Sequence, residues 1–448
     1  MSPHSPSSSK VAGTILTISL LCAHALAQDN TLLIIGDDIG VEAIACYGED
    51  DSATPTPNIS ALAAGGVLFR NAYAAPLCSP TRAQIHTGRY GFRTGVGAPG
   101  HTMKEEEITL PEILEKAGYA TALIGKWHLA GRGSSPEHPN KAGWSHFSGS
   151  LGGVLRPPDT YFRWNKTVNG KMQSCEVYAT SENVNDALLW IGEQKKPWVC
   201  IVNFNSAHSP LHLPPEELYA SDVEPEGSEG MFKAMIESMD TEIGRLLASM
   251  DPQARAKTNV IFLGDNGTPR NVISRNSPNK AAKGSLYEGG TNVPLIISGP
   301  AVTDPGREVS ALVHVVDLFH TIAKLSGIDA RAAVPEKVLL DGISFASCLA
   351  SSKSQGSRKT LYTEVFGTTQ SGFAIRDKRY KLIRRGGAEE FYDLEQDPGE
   401  NRSLRREELS GEAKNRYYDL AIELLDLEMQ GNVTAHENAP GIRRRRRR

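Results

Sequence analysis

The sequence predicts an α/β protein: a large mixed, mostly parallel sheet sandwiched by helices, then a smaller C-terminal α+β domain carrying an antiparallel sheet. Three observations lead there. Short continuous apolar runs alternate with helical patterns from Thr31 to about Leu349, which suits strands covered on both faces. Beyond the polar stretch Ser351 to Ser357 the texture changes to short alternating segments, as in a small antiparallel sheet with tight turns. The 448 residues are 40% hydrophobic and 22% charged, enough for a soluble globular protein with a sizeable core.

Each element has its own signal. Lys10 precedes an apolar run from Val11 to Leu26, and Ala25-Leu26-Ala27 has the small-x-small form of a cleavage site. Residues 1–27 therefore read as a signal peptide, and the mature chain as exported, periplasmic or secreted. That run is short for a membrane span and no other stretch approaches about 20 apolar residues, so no stable membrane anchor is expected. Thr31 to Ile35, Ala120 to Ile124, Trp198 to Phe204, Asn259 to Leu263 and Val293 to Ile297 read as buried strands. Between them, Thr109 with Glu112 three residues on marks a helix start. Ser181 to Glu193 and Gly230 to Met250 are longer helical patterns. Such alternation argues for a domain over residues 28–350 built on a parallel sheet with helices on both faces.

A second domain is expected over residues 358–430. Its strands would be Thr360 to Val365, Ser371 to Arg376, Tyr380 to Arg385 and Glu390 to Leu394, with a helix from Glu412 to Met429 packed on them. Residues 431–448, ending in Arg443 to Arg448, read as a solvated tail. The formal net charge of -4 gives no global bias toward nucleic acid. Loss of the leader leaves Cys46, Cys78, Cys175, Cys200 and Cys348. An odd count flags one free or modified thiol, with Cys78 the candidate. The other four could form two disulfides, although Cys200 sits in a strand-like run and suits a reduced core thiol.

Polar residues follow the main strand runs: Asp37-Asp38, Lys126-Trp127-His128, His208 and Asp265-Asn266. Ligands in open α/β sheets bind beyond the carboxyl ends of the strands, so these clusters would converge on one edge. Asp37, Asp38, Asp265 and Asn266 offer oxygen ligands suited to Ca²⁺ or Mg²⁺. Adjacent carboxylates without a cation would repel. Cys78-Ser79-Pro80-Thr81-Arg82 combines a thiol, a helix start and a fixed charge. The helix would turn its positive end toward Cys78. Taken singly, Cys78, His128 and Lys126 are more often structural or surface residues, and Lys283 is more often solvated; the set is what carries weight.

Together these motifs resemble the type I sulfatases, the formylglycine-dependent branch of the alkaline phosphatase-like superfamily. The resemblance rests on Cys78-Ser79-Pro80-Thr81-Arg82 with Thr87-Gly88-Arg89-Tyr90, on Gly125-Lys126-Trp127-His128-Leu129, on Gly264-Asp265-Asn266-Gly267 and on Tyr287-Glu288-Gly289-Gly290, in family order. It spans about Asn30 to Leu404. One departure is Asp38-Ile39-Gly40-Val41-Glu42, where many relatives have Gly-Tyr-Gly.

The resemblance implies hydrolysis of sulfate monoesters through a formylglycine hydrate at position 78 and a covalent sulfo-enzyme intermediate. It implies one divalent cation, Ca²⁺ ahead of Mg²⁺, held by Asp37, Asp38, residue 78, Asp265 and Asn266. Arg82 and Lys126 would hold the hydrate and sulfate, and Lys283 the sulfate and leaving oxygen. His208 would protonate the leaving alcohol, and His128 would help expel sulfate. A formylglycine-generating or maturase enzyme would act on the chain during synthesis, and the substrate would be a sulfated small molecule or oligosaccharide. Alternatives are a phosphonate or phosphodiester hydrolase of the same superfamily and a non-catalytic sulfated-glycan binder. Asn266-Gly267-Thr268 is also a glycosylation sequon, and a glycan there would block the metal site.

Overall fold

The computed structural model describes residues 28–431 except 132, 134, 154, 156–159, 221–226, 274–280 and 370. The expected signal peptide and the Arg-rich run lie outside the described residues. In chain order the strands are β1 (Asn30–Gly36), β2 (Gly66–Phe69), β3 (Ala72–Tyr73), β4 (Ala120–Gly125), β5 (His146–Gly149), β6 (Trp164–Val168), β7 (Lys171–Cys175), β8 (Trp198–Asn203), β9 (Thr258–Gly264) and β10 (Leu295–Ser298). After these come β11 (Arg307–Val309), β12 (Val313–His314), β13 (Leu361–Val365), β14 (Gly372–Arg376), β15 (Tyr380–Arg385) and β16 (Ala388–Asp393).

Ten strands form one sheet in the order β11-β2-β10-β9-β1-β8-β4-β5-β6-β7. Its centre, β9-β1-β8-β4, is wholly parallel. Side chains of a strand alternate between faces, so a run buried on both sides must be apolar throughout. β1 does this: Leu33 and Ile35 join one core, Leu32 and Ile34 the other. Helices Leu110–Lys116 and Asp317–Leu325 cover the first face through Ile113, Leu114, Phe319 and Ile322. Ala179–Glu193 and Gly227–Ser249 cover the second through Val184, Ile191, Phe232 and Met239. The start of Leu110–Lys116 is the capping box expected of Thr109 and Glu112.

Two expectations change. β10 runs antiparallel to both β9 and β2. Gly267, just after β9, donates its N–H to Gly290 O at 3.1 Å, just before β10, so β10 starts at the carboxyl end of β9 and descends. Among the described residues no disulfide forms: Cys46, Cys78, Cys175, Cys200 and Cys348 are unbonded. Cys175 and Cys200 lie in the core on one face and Cys348 on the other, with the sheet between them.

β13 to β16 form a separate antiparallel meander. Helix Gly411–Gly431 packs Tyr417, Leu420 and Leu424 against Ile375, Leu382 and Phe391 on one side of it. The opposite side, with Val365, Ala374, Ile383 and Tyr392, receives Leu286 and Tyr287 from the larger unit.

Candidate active site

Parallel pairing brings four strand ends to one edge. Gly36 is in register with Gly264, so Asp37 and Asp265 emerge side by side. Gly125 is in register with Asn203, which sets Lys126 beside the start of the loop that carries His208. Helix Cys78–Thr87 starts at the same edge, and its cap position Leu77 gives no side-chain cap. Asp38 (φ 66°) and His128 (φ 58°) both occupy left-handed backbone, a conformation that non-glycine residues hold only when their surroundings enforce it. Gly125 (φ 95°) needs to be glycine, since a Cβ there would sit 2.0 Å from the Asn203 carbonyl oxygen.

All ten predicted site residues gather here. Arg82 Nη2 donates to Asp265 Oδ2 at 2.8 Å and lies 3.9 Å from Asp37 Oδ2. Lys126 Nζ pairs with Asp37, and Lys283 Nζ with Asp38. The Asp38 N–H donates to Asp265 Oδ1 at 3.0 Å, and Asn266 Nδ2 to Asp38 Oδ1 at 2.9 Å. His208 Nε2 lies 3.7 Å from Asp38 Oδ2. His128 Nδ1 lies 3.2 Å from Cys78 Sγ. Asp37, Arg82, Lys126, Asp265 and Asn266 are fully buried. The sequon asparagine is therefore out of reach of modification once the chain has folded.

Electrostatics follow from that burial. Burial, then Lys126 and Arg82, hold the His128 imidazole well below its ordinary value, so it is neutral at pH 7. His208 is lowered by burial and by Lys126, against the pull of Asp37 and Asp38. Burial pushes the Cys78 thiol up in spite of Lys126 and Lys283, which leaves an unmodified thiol protonated and a poor nucleophile. Asp265 is raised by burial and by neighbouring Asp37, against Arg82. Burial disfavours the Lys283 ammonium, but Asp38 more than offsets this and keeps it charged.

The acidic groups lie close enough to hold a metal. Asp37, Cys78 and Asp265 each offer a ligand atom, all within 4.8 Å of one another, and so do Asp37, Asp38 and His208. Asp37 Oδ1 and Asn266 Oδ1 are buried with no hydrogen-bond partner. Orphaned oxygens among carboxylates are the donor set of a hard cation, which would satisfy both at once.

Supporting residues escaped the sequence reading. Ser79 Oγ donates to the His128 carbonyl at 2.9 Å, and Asn203 Nδ2 to the Lys126 carbonyl at 2.9 Å. Tyr161 OH donates to the carbonyls of Asn205 and His208, steadying the His208 loop. Thr268 Oγ1 accepts the Gly40 N–H at 3.0 Å. Asn203 had a signal, as a polar residue ending an apolar run; Tyr161 had none.

The fold is that of the sulfatase family. The family model described as Sulfatase matches residues 29–328, and the chain belongs to that family. More particularly, residues 281–428 match the model described as N-sulphoglucosamine sulphohydrolase, C-terminal. The N-acetylgalactosamine-6-sulfatase of Canis lupus familiaris is 30% identical over 358 residues, covering 72% of this chain and 66% of that relative, so the chain spans just under two thirds of its length. The steryl-sulfatase of Homo sapiens is 25% identical over 415 residues, covering 71% of this chain and 69% of that protein. Among solved structures, Ps i-CgsB aligns with a TM-score of 0.78 at 25% identity, covering 90% of this chain and 93% of that one.

Proposed function

We propose that this protein hydrolyses sulfate monoesters on a sulfated carbohydrate, after export to the periplasm or beyond. The observation that carries the reading is the convergence of Cys78, Arg82, Lys126, His128, His208 and Lys283 around the Asp37-Asp38 and Asp265-Asn266 pairs. The relative named for sulfate on an amino sugar supports the carbohydrate class.

Asp37, Asp38, Asp265, Asn266 and the modified residue 78 would hold calcium, with magnesium the alternative. Bound there, the ion would orient the nucleophile and favour its deprotonated form. Residue 78, oxidised from cysteine to formylglycine by a formylglycine-generating or maturase enzyme, would supply that nucleophile as a hydrated aldehyde. Its site at a helix start favours negative charge. Arg82 and Lys126 grip the nonbridging sulfate oxygens, fixed in place by carboxylates before substrate arrives. Lys283 balances charge on sulfate and on the leaving oxygen. His208 donates the proton to the departing alcohol; the substrate's negative charge favours the protonated imidazole it needs. Neutral His128, facing position 78, takes a proton from it as sulfate leaves.

The test is sulfate release from a panel of sulfated sugars, run beside matched phosphate and phosphonate esters. Turnover of the sulfate esters well above the matched phosphorus esters is expected. The reverse order would move the chain to the phosphorus branch of the superfamily, and no turnover of any ester by protein carrying formylglycine would leave a binding role.

A further inference from the structure

Lys283 lies on no regular element. It sits in the segment leading to the short helix Glu288–Thr291. Backbone bonds tie this segment to both acidic and nucleophile loops: Lys283 N–H donates to Thr268 O at 3.0 Å, Gly284 N–H to Pro76 O at 2.8 Å and Gly267 N–H to Gly290 O at 3.1 Å. A long, flexible lysine gains catalytic value only if its ammonium is held where charge develops. The anchor is five residues away. Glu288 Oε1 accepts from Lys381 Nζ at 2.9 Å, and Glu288 Oε2 from Arg376 Nη1 at 2.9 Å and from the Tyr73 hydroxyl. The Glu288 N–H donates to Glu400 Oε2 at 2.6 Å, and Lys381 also reaches Glu400 Oε1 at 2.9 Å.

Arg376 is on β14 and Lys381 on β15, so two of the partners belong to the C-terminal sheet, and Glu400 lies just beyond β16. Tyr73 is five residues before Cys78. Arg376, Lys381 and Glu400 are nearly or wholly buried, which makes the network costly to leave half-satisfied. Leu286 and Tyr287, between Lys283 and Glu288, pack on Val365, Ala374, Ile383 and Tyr392 of the same sheet. The buried polar network at Glu288 and the adjacent apolar contact thus pin one end of this short segment, and the backbone bonds of Lys283 and Gly284 hold the other.

We propose that Glu288 is a positioning residue: clamped by Arg376, Lys381 and Tyr73, it fixes the segment that presents the Lys283 ammonium to sulfate, so the C-terminal sheet is part of the active-site frame. This rests on the reading of Lys283 as a sulfate ligand. The test is a double-mutant cycle on the full-length protein with Glu288→Gln, Lys283→Ala and both together. Inorganic sulfate affinity is read by calorimetry and kcat/KM on one sulfate ester in parallel. Glu288→Gln should weaken both by about tenfold in the otherwise native chain and by almost nothing once Lys283 is alanine. An equal loss in both backgrounds, or none in the native one, overturns the proposal, because a purely structural role does not depend on Lys283. Should Glu288→Gln fail to fold, Tyr73→Phe removes one bond to the same carboxylate; its smaller loss, about two- to threefold, should vanish in the Lys283→Ala background, and a loss that persists overturns the proposal. A chain that shows this coupling in sulfate binding yet releases no sulfate refutes the hydrolase reading and leaves the clamp standing.

Discussion

Arg82 and Asp265 form an ion pair at 2.8 Å from which water is wholly excluded. A buried pair is maintained by its own geometry, and removing one partner leaves an uncompensated charge. Arg82→Leu should therefore destabilise the metal-free protein by about 3–5 kcal/mol, measured by urea unfolding. A loss under about 1 kcal/mol would place the pair in contact with solvent.

Asp37 Oδ1 and Asn266 Oδ1, buried and unpartnered, predict that divalent cations stabilise the fold. Calcium at a hundred times its dissociation constant should add about 2.7 kcal/mol, seen as a rise in Tm that a chelator reverses. Asp37→Asn should largely abolish that rise. An equal rise in both proteins would move the cation elsewhere.

Serine at position 78 keeps the side chain's reach, and left unoxidised it offers one hydroxyl where the aldehyde hydrate offers two. Cys78→Ser made without a maturase, its residue 78 shown by mass to be serine, should fold normally and turn over roughly 10⁴-fold or more slowly than the formylglycine form, with ester-bound sulfate accumulating on the protein. Turnover near that of the unaltered protein would reject the nucleophile assignment.

Glu364, on β13, is fully buried and accepts the Phe92 N–H at 2.7 Å and the Tyr362 hydroxyl at 3.0 Å. Burial raises it from 4.5 to about 7. A folded-state value above the unfolded one contributes stability present in full below pH about 4.5 and lost as pH rises through about 7. Glu364→Gln should remove this loss, of order 3 kcal/mol, so its stability curve between pH 5 and 8 lies flatter than that of the native chain. Parallel curves would contradict it.

Much of this was legible because chemistry sits at the ends of apolar runs. β1 announces itself by Leu32 to Ile35 and stops at Asp37-Asp38; β9 stops at Asp265-Asn266 in the same way. The direction of β10 was not legible, since an apolar run reads alike in either sense and only the path between strands sets it. The β6–β7 hairpin was missed because Lys171 to Ser174 are exposed and carry no burial pattern. Its turn, Asn169-Gly170 with φ of 43° and 81°, was the available signal. Glu288 was visible only as part of a motif. Its partners lie about 90 residues or more on in sequence, or over 200 residues back at Tyr73, and no local pattern links them.

The most direct measurement joins peptide mass spectrometry across residue 78 with sulfate release on the same preparation, expressed together with a maturase. An aldehyde mass at position 78, with turnover rising in proportion to its fraction, is the predicted result. Full sulfatase activity from protein whose residue 78 is entirely thiol would contradict the account.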